Sequence, residues 1–105
     1  MAQLPAEIKK TVDAYLSALR RHKIPIQKAV LFGSYAAGNY NNFSDIDIAL
    51  VSDAFKGDRM SDKDKIRSVT LSVSSAIEVM PFSPADFDPR NPFVKEILKT
   101  GIHLI

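Results

Sequence analysis

Residues 31–51 read L-F-G-S-Y-A-A-G-N-Y-N-N-F-S-D-I-D-I-A-L-V, and this stretch decides the fold. An apolar run enters it, the chain turns at Gly33-Ser34, a loop rich in Gly and Asn follows, and an alternating segment closes it. Alternation of polar and apolar residues is typical of a half-buried strand. On such a strand Asp45 and Asp47 project from the same face, because successive side chains point to opposite faces. The stretch therefore predicts two strands joined by a turn and a loop, with a pair of carboxylates on the second strand.

These two carboxylates predict a cation site. Two strand rises separate them by roughly 7 Å, so Asp45 and Asp47 repel each other unless a cation lies between them. A hard divalent cation prefers oxygen ligands of this kind. The alternative is an ordinary surface strand that carries two solvated aspartates.

The Gly33-Ser34 turn predicts a phosphate site. We expect it to lead into a short helix or helical turn around residues 35–37, where the N–H groups at the helix start would face an anion. Gly33 lets the backbone approach a phosphate closely, and the Ser34 hydroxyl can donate a hydrogen bond. Taken alone, the pair favours a simple strand-to-helix turn with serine as the N-cap. The aspartates that follow reverse this preference.

A third acidic residue lies in a later apolar segment. Residues 76–82 read A-I-E-V-M-P-F, which predicts a third strand. Glu78 is unusual there, because burying an unpaired carboxylate is costly. It could complete a three-carboxylate metal site if this strand lies next to the first two. The alternative is an edge strand that carries a solvated glutamate.

Strand, Gly-Ser turn, ten-residue spacer and strand-borne Asp-x-Asp occur here in order. Together they resemble the signature of the DNA polymerase β-like nucleotidyltransferase superfamily, and the short chain is similar to its minimal nucleotidyltransferase (MNT) branch. The resemblance covers most of the chain. It implies an α/β (α+β) fold, a small mixed sheet of three to four strands flanked by helices. It also implies two Mg²⁺ ions, ATP as nucleotide donor, and two sets of site residues: catalytic and metal-binding Asp45, Asp47 and Glu78, and nucleotide-binding Gly33, Ser34 and Ser44.

The resemblance further implies a partner. Minimal domains of this family often pair with a helical HEPN protein, so we expect the antitoxin of a HEPN/MNT pair, which moves AMP from ATP onto a toxin tyrosine. The small size predicts that a partner chain or a homodimer completes the site. Two departures from the family pattern bear on activity: residues 35–37 lack the arginine that many relatives carry, and Glu78 stands where aspartate is common. The alternatives are transfer to a small molecule and a weakly catalytic module that neutralises its partner by contact.

Composition sets the remaining bounds. The 105 residues predict one domain spanning residues 1–105, and the 46% hydrophobic content can supply one core. There is no cysteine, no apolar run long enough for a membrane span and no signal-peptide pattern, so we expect a cytoplasmic protein without membrane association. A net charge of +2 is too small to indicate nucleic-acid binding. The basic group R-R-H-K at residues 20–23 is typical of a helix C-terminus.

The rest of the chain predicts flanking elements. An apolar stripe predicts a helix over residues 5–22, and residues 27–32 predict a central strand. We expect Phe43 to anchor its loop on the core. A helix capped by Ser61-Asp62 and running to about residue 74 is predicted, with a strand at residues 69–73 as the alternative. The last elements predicted are a loop at 83–92, a helix at 92–100 and an edge strand at 102–105.

Overall fold

The computed structural model describes residues 4–105, so the first three residues of the predicted domain lie outside the described part of the chain. Within that part, helices and strands alternate. Their bounds are α1 Ala6–Arg21, β1 Lys28–Phe32, α2 Ser34–Ala37, β2 Ile46–Val51, α3 Arg59–Val73, β3 Ile77–Phe82, α4 Pro92–Thr100 and β4 Ile102–His103. The predicted mixed sheet flanked by helices is confirmed.

The strands form one sheet in the order β3-β2-β1-β4. β1 runs antiparallel to β2 and to β4, whereas β2 and β3 are parallel. The prediction that β1 is central is therefore confirmed. β3 lies at an edge, and Pro81 within it has no N–H to offer to a further strand, which makes it suitable for that position.

Helix α1 carries the apolar stripe from which it was predicted. Val12, Tyr15 and Leu19 recur at helical spacing and are buried against the sheet and against α3. Two basic residues, Arg20 and Arg21, occupy its last turn, where cations complement the helix dipole. The helix and its basic end are thus as predicted.

The opposite face of the sheet carries α4. Val94 and Ile97 of this helix pack on Ala49 and Val51 of β2. Asp47 lies on the same face of β2 as these two residues, because side chains alternate along a strand. The carboxylate end of β2 thus lies on the face that carries α4.

The segment before β3 forms a helix, and the alternative strand at residues 69–73 is wrong. A parallel pair such as β2 and β3 needs a crossover connection, usually a helix, and α3 supplies it. The predicted cap is also wrong, because α3 begins at Arg59 and its N-cap is Asp58. Asp62 is fully buried and accepts hydrogen bonds from the N–H groups of Lys56 and Gly57, at 2.9 and 3.0 Å. It secures the loop that enters α3.

Two further expectations need correction. Phe43 is 94% exposed, so it does not anchor its loop on the core. Its N–H donates to the side chain of Asn41 at 2.8 Å, a local turn that holds the loop without apolar burial. The predicted final edge strand is present but shorter, Ile102–His103; beyond it, the N–H groups of Leu104 and Ile105 still donate to the Ala29 carbonyl, at 2.8 and 3.3 Å. No helix among residues 4–105 is long and apolar enough to cross a membrane.

Candidate active site

The turn after β1 touches the carboxylate of Asp47. Gly33 has φ 76° and ψ −150°, a conformation essentially restricted to glycine. A Cβ at this position would overlap Asp47 Oδ2 and lie 3.1 Å from Asp47 Cγ. Phe32, the last residue of β1, is the register partner of Asp47. Glycine is therefore required at position 33 both by the backbone and by the neighbouring carboxylate.

Strand pairing brings the third acid to the other side of Asp47. Glu78 of β3 is the register partner of Asp47 in the parallel β2–β3 ladder. Asp45 is the residue directly before β2. Partial burial of Asp47, followed by the charges of Asp45 and Glu78, raises the pKa of the Asp47 carboxyl. The charges of Asp45 and Glu78 thus both act on the carboxyl of Asp47.

Glu78 already has a cationic partner. Lys63 Nζ of α3 donates to Glu78 Oε1 at 2.8 Å, and the two side chains are 37% and 58% exposed. Glu78 thus lies on an edge strand and is exposed to solvent, as the alternative of a solvated glutamate predicts. Lys63 was not predicted as a site residue, because it is fifteen positions away in sequence and only the crossover through α3 brings it near.

The three acidic side chains are of the chemical type that binds a hard divalent cation. The acids are all carboxylates, the ligands that Mg²⁺ prefers, and the pKa of Asp47 is raised first by its burial and then by the negative charges of Asp45 and Glu78. Among residues 4–105, however, no three His, Cys, Asp or Glu side chains are close enough to hold one metal ion together. In this structure the Glu78 carboxylate is instead bound to Lys63.

The predicted nucleotide-binding residues lie along the loop that joins the two central strands. The expected short helix is present as α2, which begins at Ser34 with Gly33 as its N-cap, so the alternative of a simple turn capped by serine is wrong. The Ser34 carbonyl accepts the N–H of Gly38 at 3.0 Å, which closes the short helix. Ser44 accepts the N–H of Asn41 at 2.9 Å, and its hydroxyl hydrogen can still be donated.

A cleft opens beside this turn, and the sequence gives no local signal for it. It has a volume of about 420 Å³ and lies between Gly33-Ser34 and one side of α4, with Phe93 and Glu96 among the residues that line it. Amphipathic spacing predicts the helix but not which sheet edge it covers. The cleft therefore depends on tertiary packing.

The turn, the carboxylates on neighbouring strands and the topology together define a nucleotidyltransferase domain. A model of the nucleotidyltransferase domain family matches residues 12–102, and the chain belongs to this family. The membership predicted from residues 31–51 is confirmed.

Two known proteins show how far the similarity extends. A protein of Methanocaldococcus jannaschii named "Putative protein adenylyltransferase" is 44% identical over 45 residues, which are 42% of this chain and 45% of that protein. The match thus spans less than half of this relative's length. The crystal structure of a "putative nucleotidyltransferase" from Sulfolobus solfataricus covers 98% of this chain and 89% of its own, with a TM-score of 0.54 and 17% identity. At that identity the likeness concerns the fold.

Proposed function

We propose that the protein transfers AMP from ATP to a hydroxyl group of a partner protein, with Mg²⁺ as cofactor. One observation carries the proposal: the carboxylate of Asp47 lies against the Gly33 backbone on one side and opposite Glu78 on the other. A phosphate-binding turn and an acidic group are thereby brought to one point of the sheet.

Asp45 and Asp47, joined by Glu78, would hold Mg²⁺. When bound, the metal would neutralise phosphate charge and lower the pKa of the attacking hydroxyl. The backbone and hydroxyl of Ser34 would bind and orient the phosphates. The acceptor oxygen forms a bond to the α-phosphorus, the bond from that phosphorus to the bridging oxygen breaks, and pyrophosphate leaves with the electron pair. Glu78 would accept the proton of the hydroxyl.

Two considerations favour a protein acceptor. The name of the M. jannaschii relative describes a protein adenylyltransferase, although the match is confined to 45 residues. In addition, the Glu78 side of the site is an exposed strand edge, which a large acceptor can approach more easily than an enclosed pocket. We further propose that the acceptor is a tyrosine of a helical HEPN-type toxin, which would make this protein an antitoxin that acts in the cytoplasm.

The test is transfer of label from α-³²P-ATP with Mg²⁺, first with the protein alone and then with the product of the adjacent gene. Asp47→Asn removes the central carboxylate. Asp53→Asn is the matched control, because Asp53 is an exposed aspartate that accepts a hydrogen bond from Gln27 outside the site. We expect label on the partner with wild type and with the control, and at most about 1% of it with Asp47→Asn. Equal labelling by both variants would refute the assignment.

A second candidate function is neutralisation of the partner by contact alone. The observation that favours it is the ion pair of Glu78 with Lys63, which occupies the third carboxylate. The double variant Asp45→Asn/Asp47→Asn separates the two functions. Loss of both labelling and neutralisation supports the transferase, whereas neutralisation that persists without labelling supports the contact module. Label found only on an added small molecule would indicate the remaining alternative, a small-molecule acceptor.

A further inference from the structure

The cleft beside the Gly33-Ser34 turn has the size of a ligand site. Its volume is about 420 Å³, and small-molecule sites typically measure about 300–1,000 Å³ with apolar walls and a few polar groups. The turn lies at one end of it, and α4 forms the opposite wall. Whatever binds with a phosphate at the turn therefore has room to extend along α4.

One wall of the cleft is aromatic. Phe32 and Phe93 meet edge to face, with ring centroids 5.9 Å apart and an interplanar angle of 88°. Phe32 fixes the position of Phe93, yet Phe93 remains 44% exposed. A large apolar side chain that is held in place beside a cleft offers a flat surface for a planar ring. All four nucleobases can stack on aromatic side chains, because each has a flat π face.

The same helix also contributes an acidic side chain to the cleft. Glu96 lines the cleft, and within residues 4–105 its carboxylate makes no salt bridge and accepts no hydrogen bond from another side chain. Its backbone carbonyl accepts the hydroxyl of Thr100 at 2.8 Å. A carboxylate repels a phosphate but accepts hydrogen bonds from vicinal sugar hydroxyls, as ribose-binding acids do in dinucleotide sites. The phosphates would thus lie at the turn and the ribose beside Glu96.

We propose that this cleft is the nucleoside subsite of the donor nucleotide, in which the base packs on Phe93 and the ribose hydroxyls donate to Glu96. The proposal rests on the proposed function, since the phosphates are assigned to Gly33-Ser34. It assigns a site to the base and ribose of the donor nucleotide, which the three acids leave unassigned. It also makes α4 the element that selects nucleotides over other triphosphates.

The test measures binding rather than transfer. Titration calorimetry with Mg²⁺ would use three probes: ATP, 2′,3′-dideoxy-ATP and inorganic tripolyphosphate. We expect Phe93→Ala to weaken ATP binding about 10-fold while tripolyphosphate binding is unchanged. We expect wild type to prefer ATP over the dideoxy analogue by about 10-fold, the effect of a hydrogen bond to a charged group, and Glu96→Ala to abolish that preference.

Matched controls come from the same chain. Met60→Ala removes an exposed apolar side chain from α3, and Glu7→Gln removes an exposed carboxylate on α1. Both should bind all three probes as wild type does. The proposal is overturned if Phe93→Ala weakens ATP and tripolyphosphate equally, if Glu96→Ala retains the preference for ribose, or if wild type binds no ATP.

Failure of this proposal can be distinguished from failure of the proposed function. If label transfer proceeds with wild-type KM for ATP in both Phe93→Ala and Glu96→Ala, the transferase stands and the subsite is refuted. If ATP binding shows the expected pattern but no protein is labelled, the subsite stands and protein adenylylation is refuted.

Discussion

Replacing Gly33 by alanine should damage stability and the site together. The backbone conformation, φ 76° and ψ −150°, costs a residue with a side chain about 1–3 kcal/mol. The new Cβ would also overlap Asp47 Oδ2 and lie 3.1 Å from Asp47 Cγ, and forcing that side chain off its rotamer costs about 0.5–1.5 kcal/mol. We expect Gly33→Ala to lower the free energy of unfolding by about 2–4 kcal/mol.

Urea unfolding followed by circular dichroism measures this loss as a lower midpoint with an unchanged m-value. Gly38→Ala is the matched control, because Gly38 also has a positive φ, 82°, at the other end of α2. Its left-handed conformation should cost only about 1–2 kcal/mol. Under the proposed function, label transfer should fall about 100-fold in Gly33→Ala, since a displacement of Asp47 by about 1 Å would misplace a proposed catalytic group.

A double-mutant cycle isolates the contact with the carboxylate. In an Asp47→Ala background the overlap disappears and only the backbone cost remains, so Gly33→Ala should destabilise by about 0.5–1.5 kcal/mol less than in wild type. The reasoning fails if the two substitutions are additive. It also fails if Gly33→Ala costs no more than Gly38→Ala.

Three other perturbations test neighbouring features. Since the pKa of Asp47 is raised in the folded state, its ionised form destabilises the metal-free protein above that pKa. Asp47→Asn should therefore raise the urea midpoint in EDTA at pH 7, and this gain should vanish near pH 3. An equal gain at both pH values would contradict this reasoning. Asp62→Ala removes the fully buried side chain that accepts two loop N–H groups and should cost about 1–3 kcal/mol, with Asp62→Asn less harmful in the same assay. Lys63→Met breaks a solvent-exposed ion pair, so it should change stability by less than about 1 kcal/mol. The same substitution should release Glu78 and lower the Mn²⁺ concentration needed for half-saturation, measured by electron paramagnetic resonance. Unchanged Mn²⁺ affinity would argue against Glu78 as a metal ligand.

The predictions that succeeded depend on local signals. Residues 31–51 carry their own strand, turn and strand patterns, so the β1–β2 pair and the Gly33 turn follow from sequence. These features need no knowledge of distant packing. Glu78 is conspicuous as an acid in an apolar strand, but its place next to β2 enters the prediction only as a condition, because the parallel pairing depends on the crossover through α3.

The predictions that failed depend on contacts between distant segments or on local turns that replace burial. Phe43 is apolar and was expected inside, but folded proteins expose many apolar residues singly. Asp62 resembled a helix cap, yet its partners are two N–H groups of the loop before α3. The ion pair of Lys63 and Glu78 joins a helix to a strand that meet only once the crossover is complete.

The strand order explains how one small sheet can separate the two substrates. Because β2 lies between β1 and β3, the Gly33 turn and its cleft are on one side of Asp47, and Glu78 is on the other. Under the proposed function the donor nucleotide then lies on the α4 side, and the acceptor hydroxyl arrives at the β3 edge. That edge cannot recruit a continuous extra strand, since Pro81 interrupts its N–H groups. The acceptor would therefore be recognised by side chains at that edge, where Lys63 and Glu78 form an exposed ion pair.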